Sequence, residues 1–452
     1  MTVSDKNITL FHPTGIVKAV INLPASKSIS NRLLIINRLS NNKCDIENLS
    51  DSTDTQNLKN ILESNDEIAD VKDAGTSMRF LTTYYCATNQ TKIITGTDRI
   101  CQRPIGELVS ALRTIGFQIE YLKKEGFPPI KILKSDGGHS LSPSPSLPLN
   151  PLKRTSSASP LGGRGVVEVD ASVSSQYISA LLMIAPVLKN GLTIVLKNAP
   201  VSEPYIMMTL KLMSEFGIAY SWEKNKIIVP HQNYSPKKVT VEADWSAASY
   251  WYIVAALSKS ADIRLLGLKE DGLQGDKIMA EWGRRFGVET RFDSEGATLI
   301  KNRAVVTPTR FPTSSGLSEE PLLIDFINNP DLAQSILVMA AVKNIPIELR
   351  GIESLRIKET DRIEAMRSEL KKINAELIEK TNGVFLLKPN FKILDSKFET
   401  YNDHRMAMAF APVALKGKIK INNPDVVKKS YPSFWEDLKK AGFVNISQRS
   451  AE

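Results

Sequence analysis

Lysine, arginine and serine side chains crowd into one short segment near the start of the sequence, LPASKSISNR at residues 23–32. The apolar run LLII follows at once, which indicates the start of a helix. A helix N-terminus already carries unpaired N–H groups and a partial positive charge, so Lys27 and Arg32 oppose the helix unless an anion binds there. The segment therefore predicts an anion-binding site. The simpler alternative is an N-cap followed by a solvated basic turn.

Further charged clusters recur at other expected helix starts. They are Arg79, Arg103, KETDR at 358–362, DHR at 403–405 and KKS at 428–430. Lysine binds phosphate as a point charge and arginine binds it as a bidentate fork, so several such clusters indicate a shared, highly anionic ligand. The chain contains neither GxxxxGK followed by Ser or Thr nor GxGxxG, so nucleotide binding through those loops has no support.

The elements that must position these side chains repeat along the chain. Small polar clusters that open apolar helices lie at 26–28, 75–77, 174–176, 244–246, 331–334 and 403–405. A second helix signal follows each cluster after 26 to 29 residues, at Thr53, Pro104, Glu203, Gln274, Thr360 and Pro432. Short β-branched runs such as KIITG, GLTIVLK and KIKIN separate the helices. The pattern predicts an α+β protein of six repeated units, three to a domain.

Several of the first helices, such as YWYIVAAL and SILVMAAV, are apolar nearly all round, so we expect them to be buried. Residues 136–165 break the pattern, because Ser, Pro and Gly make up 17 of the 30 residues. We expect this segment to be a flexible insertion between two strands.

Composition narrows the class of protein. The 452 residues are 42% hydrophobic, enough for sizeable cores, and carry a net charge of +9 that is interspersed along the chain. The three cysteines show no CxxC or Cys/His spacing, so we expect neither disulfides nor a metal site. The first fifteen residues lack the apolar stretch of a signal peptide, and no apolar run would span a bilayer. We expect a cytoplasmic protein with no membrane partner.

Nine ordered motifs together resemble one enzyme family. They are LPASKSISNR, DAGTSMR, QRP, SSQY, SEPY, NPDLAQ, RIKETDR, YNDHRMAM and KKSYPSFW. With them the chain is similar to the EPSP synthase (3-phosphoshikimate 1-carboxyvinyltransferase) family over nearly its full length outside the insertion. The resemblance implies a two-domain inside-out α/β barrel of six βαβαββ units. It places residues 23–243 in one domain and residues 1–22 with 244–452 in the other.

The resemblance also implies a reaction. The enolpyruvyl group of phosphoenolpyruvate is transferred to the 5-hydroxyl of shikimate 3-phosphate by addition and elimination through a tetrahedral intermediate, with release of phosphate. No cofactor is implied, and we expect a monomer with no nucleic-acid partner. Such chemistry explains the residue types, because two phosphates and two carboxylates need several cations, and the proton transfers need an acid and a base.

Site residues follow from the resemblance alone. Phosphoenolpyruvate would be held by Lys27, Gly75, Arg103, Gln176, Arg362, Arg405 and Lys429. Shikimate 3-phosphate would be held by Lys27, Ser28, Arg32, Ser174, Ser175, Ser202, Tyr205, Asp331, Ser354 and Lys358. The catalytic groups would be Asp331 as the base at the 5-hydroxyl, Glu359 for the proton at C3, and Lys27 between the two anions.

Structural roles could explain some of the same residues. Asp331 and the pair Ser174–Ser175 could be helix caps, and 358–362 could be an ordinary charged helix start. We interpret His404 as a hydrogen-bonded structural histidine and leave it out of the catalytic set.

Three positions depart from the family pattern. Ala25 replaces a usual Gly, Phe80 replaces a common Pro, and Ser354 replaces a substrate-binding Asn with a shorter side chain. Because Gly75 is retained, we expect sensitivity to glyphosate, which resembles bound phosphoenolpyruvate.

Two other functions remain as alternatives. A UDP-N-acetylglucosamine enolpyruvyltransferase would share the fold, but that family carries a Lys-Asn pair where this chain has Lys27-Ser28, and Cys101 is misplaced for its reactive cysteine. A basic RNA-binding protein would explain the positive charge, but the chain lacks aromatic-rich RNA motifs.

Overall fold

A computed structural model of the chain describes residues 6–134, 165–301, 311–313, 316–318, 321–380 and 383–446. The predicted insertion at 136–165 lies outside the described residues except for Gly165, which opens a strand. The strands on either side of it are Ile130–Leu133 and Gly165–Val169.

The described residues form helices and strands in alternation. The helices are α1 Lys27–Leu39, α2 Thr53–Glu63, α3 Gly75–Ala87, α4 Gly106–Thr114, α5 Ser175–Ile184, α6 Glu203–Glu215, α7 Trp245–Leu257, α8 Met279–Arg285, α9 Ala333–Val342, α10 Arg362–Lys371, α11 His404–Phe410 and α12 Phe434–Lys440. The strands are β1 Asn7–Phe11, β2 Ile16–Asn22, β3 Asp45–Glu47, β4 Ile68–Asp70, β5 Lys92–Thr95, β6 Gln118–Tyr121, β7 Ile130–Leu133, β8 Gly165–Val169, β9 Leu192–Leu196, β10 Ser221–Glu223, β11 Lys226–Val229, β12 Lys238–Thr240, β13 Ser260–Leu266, β14 Glu289–Asp293, β15 Gly296–Lys301, β16 Phe311–Thr313, β17 Gly316–Ser318, β18 Leu322–Asp325, β19 Ile347–Arg350, β20 Ala375–Glu379, β21 Phe385–Pro389, β22 Lys397–Phe398, β23 Ile419–Asn422 and β24 Val444–Ile446.

One sheet design recurs. The four-stranded sheets have the orders β4-β5-β7-β6, β8-β9-β11-β10, β2-β13-β15-β14, β18-β19-β21-β20 and β22-β23-β1-β24. In each of them the first two strands are parallel and the other neighbours are antiparallel, as in β4-β5-β7-β6. The helices between parallel strands are the crossovers that such pairs require. The predicted α+β repeat is confirmed.

The repeat departs from six equal copies in two ways. The first copy, with α1 and α2, contributes β3, which pairs only with β12 among the described strands. Every sheet of the described residues is open, so none of them closes the barrel that the resemblance implies.

The N-terminal strands belong to sheets that are completed late in the chain. Strand β1 pairs with β23 in the register Asn7↔Asn422 and also with β24, while β2 runs parallel to β13. The predicted return of the N-terminal strand to the C-terminal half is therefore confirmed.

The chain packs into two compact units. The first comprises Met1–Ser30, Ile46–Asn57 and Val239–Glu452, and the second comprises Asn31–Asp45 and Leu58–Lys238. The unit boundary passes through α1, which starts in the first unit and continues in the second. The domain bounds expected from the sequence, at 22/23 and 243/244, stay a prediction.

The first helices of the repeats form the cores of the units, as predicted. All ten residues of α9 are buried, and α7 is buried except for Ser246. Ser249 of α7 and Ser335 of α9 share a hydrogen bond of 2.9 Å, which satisfies two polar groups inside the core. Because these helices are held on all sides, the residues at their starts are fixed in place.

Within the described residues, no helix is both long and apolar enough to cross a bilayer. Nor do these residues contain a group of three or more His, Cys, Asp or Glu side chains that could hold a metal ion.

Candidate active site

Asp331 lies at the centre of a charged cluster in the first unit. It is part of the 3-10 turn Pro330–Leu332, which leads into α9, and its side chain caps nothing. Instead its Oδ1 accepts from Nη1 of Arg362 at 2.9 Å and lies 3.7 Å from Nζ of Lys358. Its Oδ2 accepts from Nη2 of Arg405 at 3.2 Å. The capping alternative is therefore wrong for Asp331.

Arg362 joins three carboxylates. Besides Asp331, it donates from Nη2 to Oε2 of Glu359 at 2.7 Å and from Nε to Oδ2 of Asp403 at 2.7 Å. Asp361 caps α10 and so directs the first residue of that helix, Arg362, into the interior, where its side chain is only 2% exposed. The region 358–362 is thus not an ordinary solvated helix start.

The surrounding cations determine the protonation of Asp331. Burial alone would raise its pKa, but the charges of Arg405, Lys358 and Arg362 outweigh burial and hold the pKa far below the usual value. Asp331 is therefore ionised, and it is a weak proton acceptor while all three cations stay on it.

Glu359 and Lys27 occupy the edges of the same unit's cluster. Oε1 of Glu359 lies 3.9 Å from Nζ of Lys429, at the end of the 3-10 turn Pro424–Lys429. Nζ of Lys27 donates to Oδ2 of Asp54 at 3.0 Å, and its backbone N–H donates to Asp244 at 3.2 Å. Both predicted proton-transfer groups, and the cations expected beside them, are thus paired with opposite charges in this structure.

His404 is buried beside the cluster. Burial and the positive charge of Lys27 push the pKa of His404 well below its usual value, so the ring is neutral. Its Nδ1 lies 3.8 Å from Oδ1 of Asp403 and has no hydrogen-bond partner among the described residues. The hydrogen bond predicted for His404 is therefore not made by Nδ1, while its burial agrees with a structural position.

The second unit contains a separate cluster around Gly75, the first residue of α3. Nη1 of Arg79 donates to the carbonyl of Gly75 at 2.9 Å and to Oε1 of Gln176 at 3.0 Å. Nε2 of Gln176 donates to Thr76 at 3.0 Å. A Cβ at position 75 would lie 2.6 Å from the guanidinium of Arg103 and 2.7 Å from that of Arg79. Only glycine leaves room for both guanidinium groups.

Arg32 is placed differently from Lys27. It is buried in the second unit and donates to Thr209 at 2.7 Å, to Ser179 at 3.1 Å and to the carbonyl of Tyr205 at 3.3 Å. Its guanidinium also lies 5.3 Å from the ring centre of Phe80. Burial lowers the pKa of Arg32 to about 10. The solvated-turn alternative for this residue is wrong, and direct substrate contact by Arg32 stays a prediction.

The remaining predicted residues are serines at turns and helix starts. Ser174 caps α5 by accepting from the N–H of Gln176 at 3.3 Å, which confirms its capping role. Ser202 precedes α6 in a left-handed conformation with φ of 56° and caps nothing. Ser28 and Ser354 are half-buried, the first in α1 and the second in the 3-10 turn Glu353–Ile357, and Ser175 is buried.

Sequence reasoning left several site residues without a role. Asp403 accepts a hydrogen bond from Arg362, and Asp54 accepts one from Lys27. The guanidinium groups of Arg79 and Arg103 both lie close to Gly75. Asp403 and Arg79 were visible as charged residues at helix starts, whereas the pairing of Lys27 with Asp54 depends on how α1 and α2 pack.

Comparisons with known proteins show the family to which the chain belongs. The family model described as EPSP synthase (3-phosphoshikimate 1-carboxyvinyltransferase) matches residues 12–66, 58–142 and 151–438. A 3-phosphoshikimate 1-carboxyvinyltransferase of Bacteroides fragilis (strain YCH46) is 46% identical over 433 residues, covering 94% of this chain and 96% of the relative. One of Shewanella amazonensis is 32% identical, again covering 94% and 96%.

Solved structures show the same fold. An EPSP synthase of Acinetobacter baumannii has a TM-score of 0.72 at 18% identity, covering 98% of this chain and 100% of that one. The enolpyruvyl transferase NikO of Streptomyces tendae has a TM-score of 0.67 at 12% identity, covering the same shares. The described residues have the fold class of these two proteins, an α+β fold of repeated four-stranded sheets. Within it, the chain belongs to the EPSP synthase (3-phosphoshikimate 1-carboxyvinyltransferase) family.

Proposed function

We propose that this chain transfers the enolpyruvyl group of phosphoenolpyruvate to the 5-hydroxyl of shikimate 3-phosphate and releases phosphate. The observation that carries the proposal is the cluster around Asp331, where Arg362 joins Asp331 to Glu359 and further cations surround both carboxylates. Membership in the EPSP synthase family supplies the identity of the substrates.

The reaction needs two proton movements. In the addition, the 5-oxygen bonds to C2 of phosphoenolpyruvate, the hydroxyl loses its proton and C3 gains one. In the elimination, the bond from C2 to the phosphate oxygen breaks and C3 loses a proton. We assign the hydroxyl proton to Asp331 and the C3 proton to Glu359, because one guanidinium group holds these two carboxylates together.

Substrate anions would change the basicity of Asp331. A phosphate or carboxylate group that attracts Arg405 or Lys358 weakens the charges that hold the pKa of Asp331 low. Asp331 would then become a better proton acceptor only when substrate is bound. The same exchange of partners would release Lys429 from Glu359 and Lys27 from Asp54 for anion binding.

The proposed binding roles keep the assignments that the resemblance implies. Arg362, Arg405, Lys429, Gly75, Arg103 and Gln176 would bind phosphoenolpyruvate, Lys358 with the serines and Arg32 would bind shikimate 3-phosphate, and Lys27 would contact both. The half-buried position of Ser354 is compatible with such a contact. We also propose that the enzyme acts as a monomer in the cytoplasm, which light scattering and cell fractionation would test.

The test is phosphate release from phosphoenolpyruvate with different acceptors. Rapid release with shikimate 3-phosphate, and a product heavier than the acceptor by one enolpyruvyl group, supports the proposal. Release only with UDP-N-acetylglucosamine assigns the chain to the alternative reaction. No release with either acceptor, together with salt-sensitive retention of RNA, favours the RNA-binding alternative.

A further inference from the structure

The Asp331–Arg405 pair is part of a ring of hydrogen bonds that the backbone between Asn329 and Asp331 closes. Nη2 of Arg405 donates to Asp331 and lies 3.4 Å from Oγ of Ser246, the second residue of α7. Oγ of Ser246 donates to Oδ2 of Asp276 at 2.5 Å. Oδ1 of Asp276 accepts from Nδ2 of Asn329 at 3.1 Å, and Asn329 directly precedes the 3-10 turn that contains Asp331. Asp276 is therefore connected to the Asp331–Arg405 pair through two separate hydrogen bonds, one from Ser246 and one from Asn329.

Asp276 is an unusual residue to find inside the unit. It is 3% exposed, and burial raises its pKa, an effect opposed by the hydrogen bond from Ser246 and by the charge of Arg405. A buried carboxylate is costly unless both oxygens receive hydrogen bonds. Here both oxygens do, because Oδ2 accepts from Ser246, which is hydrogen-bonded to Arg405, and Oδ1 accepts from Asn329, which lies two residues before Asp331.

The direction of each hydrogen bond follows from the groups present. The Ser246 hydroxyl has one proton, and a carboxylate can only accept, so that proton points at Asp276. The lone pairs of the Ser246 oxygen are then left to accept from Arg405. In this way the negative charge of Asp276 determines which face of the hydroxyl is presented to the guanidinium.

We propose that Asp276 is a positioning residue for enolpyruvyl transfer, acting on Arg405 through Ser246 and on the turn of Asp331 through Asn329. The inference rests on the proposed function. Asp276 itself need not touch either substrate. Its role is to hold Asp331, the proposed base, and Arg405 in one relative arrangement.

Asp276→Asn would reverse the direction of some hydrogen bonds in the ring while nearly keeping the volume of the side chain. Asn329 donates, so the amide oxygen of the new side chain would face Asn329 and the amide NH2 would face Ser246. The hydroxyl proton would then turn toward Arg405, and a donor would meet a donor. Ser246→Ala removes the oxygen altogether, whereas Ser246→Thr keeps the hydroxyl.

The experiment measures kcat and the KM for each substrate in D276N, S246A, S246T and the double variant S246A/D276N. We expect D276N to raise the KM for phosphoenolpyruvate about tenfold and to lower kcat about tenfold, the loss typical of one hydrogen bond to a charged group. We expect S246A to raise mainly the KM for phosphoenolpyruvate and S246T to stay near wild type. For that KM, the double variant should be no worse than D276N, because both changes break one connection.

Ser258→Ala is the matched control, because Ser258 is buried at the end of the same helix and donates to the carbonyl of Ala255, outside the ring. If the wild-type enzyme is active and the kcat and KM values of both D276N and S246A lie within twofold of it, the inference is overturned. Fully additive effects in the double variant also overturn it. If D276N fails to fold, equal kinetics of S246A and S246T overturn it. A wild-type enzyme that releases no phosphate with shikimate 3-phosphate overturns the proposed function and the inference together.

Discussion

Asp331 and Glu359 are bound by the same guanidinium group, that of Arg362, at 2.9 Å and 2.7 Å. The two carboxylates lie 28 positions apart in the sequence, and no local pattern gives their separation. Arg362 is itself anchored by the buried Asp403, so the pair is tied to the start of α11. The two carboxylates that we propose as proton donor and proton acceptor are thus held as one electrostatic unit, and removing any member changes the others.

Replacing Arg362 tests this coupling. Arg362→Lys keeps one positive charge, but the compact ammonium group lacks the wide planar fork of the guanidinium, so at least one of the three carboxylates loses its partner. Breaking a buried ion pair costs about 3–5 kcal/mol. We expect kcat/KM to fall by at least about 100-fold, together with a lower Tm, measured by phosphate release and by thermal unfolding.

Arg291→Lys is the control, because Arg291 binds Glu289 at the surface and lies outside the cluster. Its effect on stability should be small, as for exposed pairs, with unchanged kinetics. Equal losses in the two variants would contradict a special role for Arg362.

Gly75→Ala tests the second unit's cluster. The new methyl group would lie 2.6 Å from the guanidinium of Arg103, so that side chain and Arg79 must move. We expect a higher KM for phosphoenolpyruvate, about tenfold or more for the displacement of one bidentate contact, and little change in the KM for shikimate 3-phosphate. The control is Gly106→Ala in α4, where the added Cβ meets nothing closer than 3.4 Å.

Glyphosate should compete with phosphoenolpyruvate, because its phosphonate and carboxylate groups would be attracted by the same cations. Phe80 is fully buried in α3 and packs against Arg32, so the departure at this position faces the interior. Inhibition at millimolar glyphosate that is relieved by phosphoenolpyruvate would agree with this prediction. Unchanged turnover would contradict it.

The helix starts show how accurately local sequence signals predict where a helix begins. Thr53 and Glu203 begin helices as predicted, and the caps Ser174, Asp244 and Asp403 are all in place. Helices α4, α8, α10 and α12 begin two to five residues later than the signals at Pro104, Gln274, Thr360 and Pro432. In α8 the 3-10 turn Gly275–Ile278 comes first, a feature that side-chain patterns describe poorly.

Side-chain direction was less predictable than position. Lys27 and Arg32 belong to one motif, yet Lys27 is half-buried beside Asp54 whereas Arg32 is enclosed by Thr209, Ser179 and Tyr205. Those partners come from distant parts of the chain, so only tertiary packing decides which of the two cations remains near solvent.

The stability of the fold should depend on Lys301 at alkaline pH. Burial and the charges of Lys343 and Lys416 lower the pKa of Lys301 to about 8, against about 10.4 in an unfolded chain. Between these values the unfolded state binds more protons, so this residue makes the free energy of unfolding rise with pH. The stability difference between wild type and Lys301→Met should therefore shift in favour of wild type from pH 8 to pH 10.

Denaturant unfolding at several pH values measures that difference. The size of the stability difference at any one pH also reflects the hydrogen bonds of Lys301 to the carbonyls of Ala256 and Ser258. Only the change of that difference with pH is therefore diagnostic. Lys18→Met, at an exposed position of the same sheet, is the control. A difference that stays constant from pH 8 to pH 10 would contradict the prediction.

Glu359→Gln separates proton transfer from anion binding. The amide cannot carry the C3 proton, so we expect kcat to fall by about 100-fold or more, as for loss of a general acid or base. The same change removes a negative charge from beside Lys429 and Arg362, which leaves both cations freer to attract an anion. The KM for phosphoenolpyruvate should therefore stay constant or fall while kcat collapses. Glu364→Gln, on the exposed side of α10, should leave both constants unchanged. A raised KM with an unchanged kcat in Glu359→Gln would show that Glu359 only arranges the cations, and the assignment of the C3 proton to this carboxylate would be wrong.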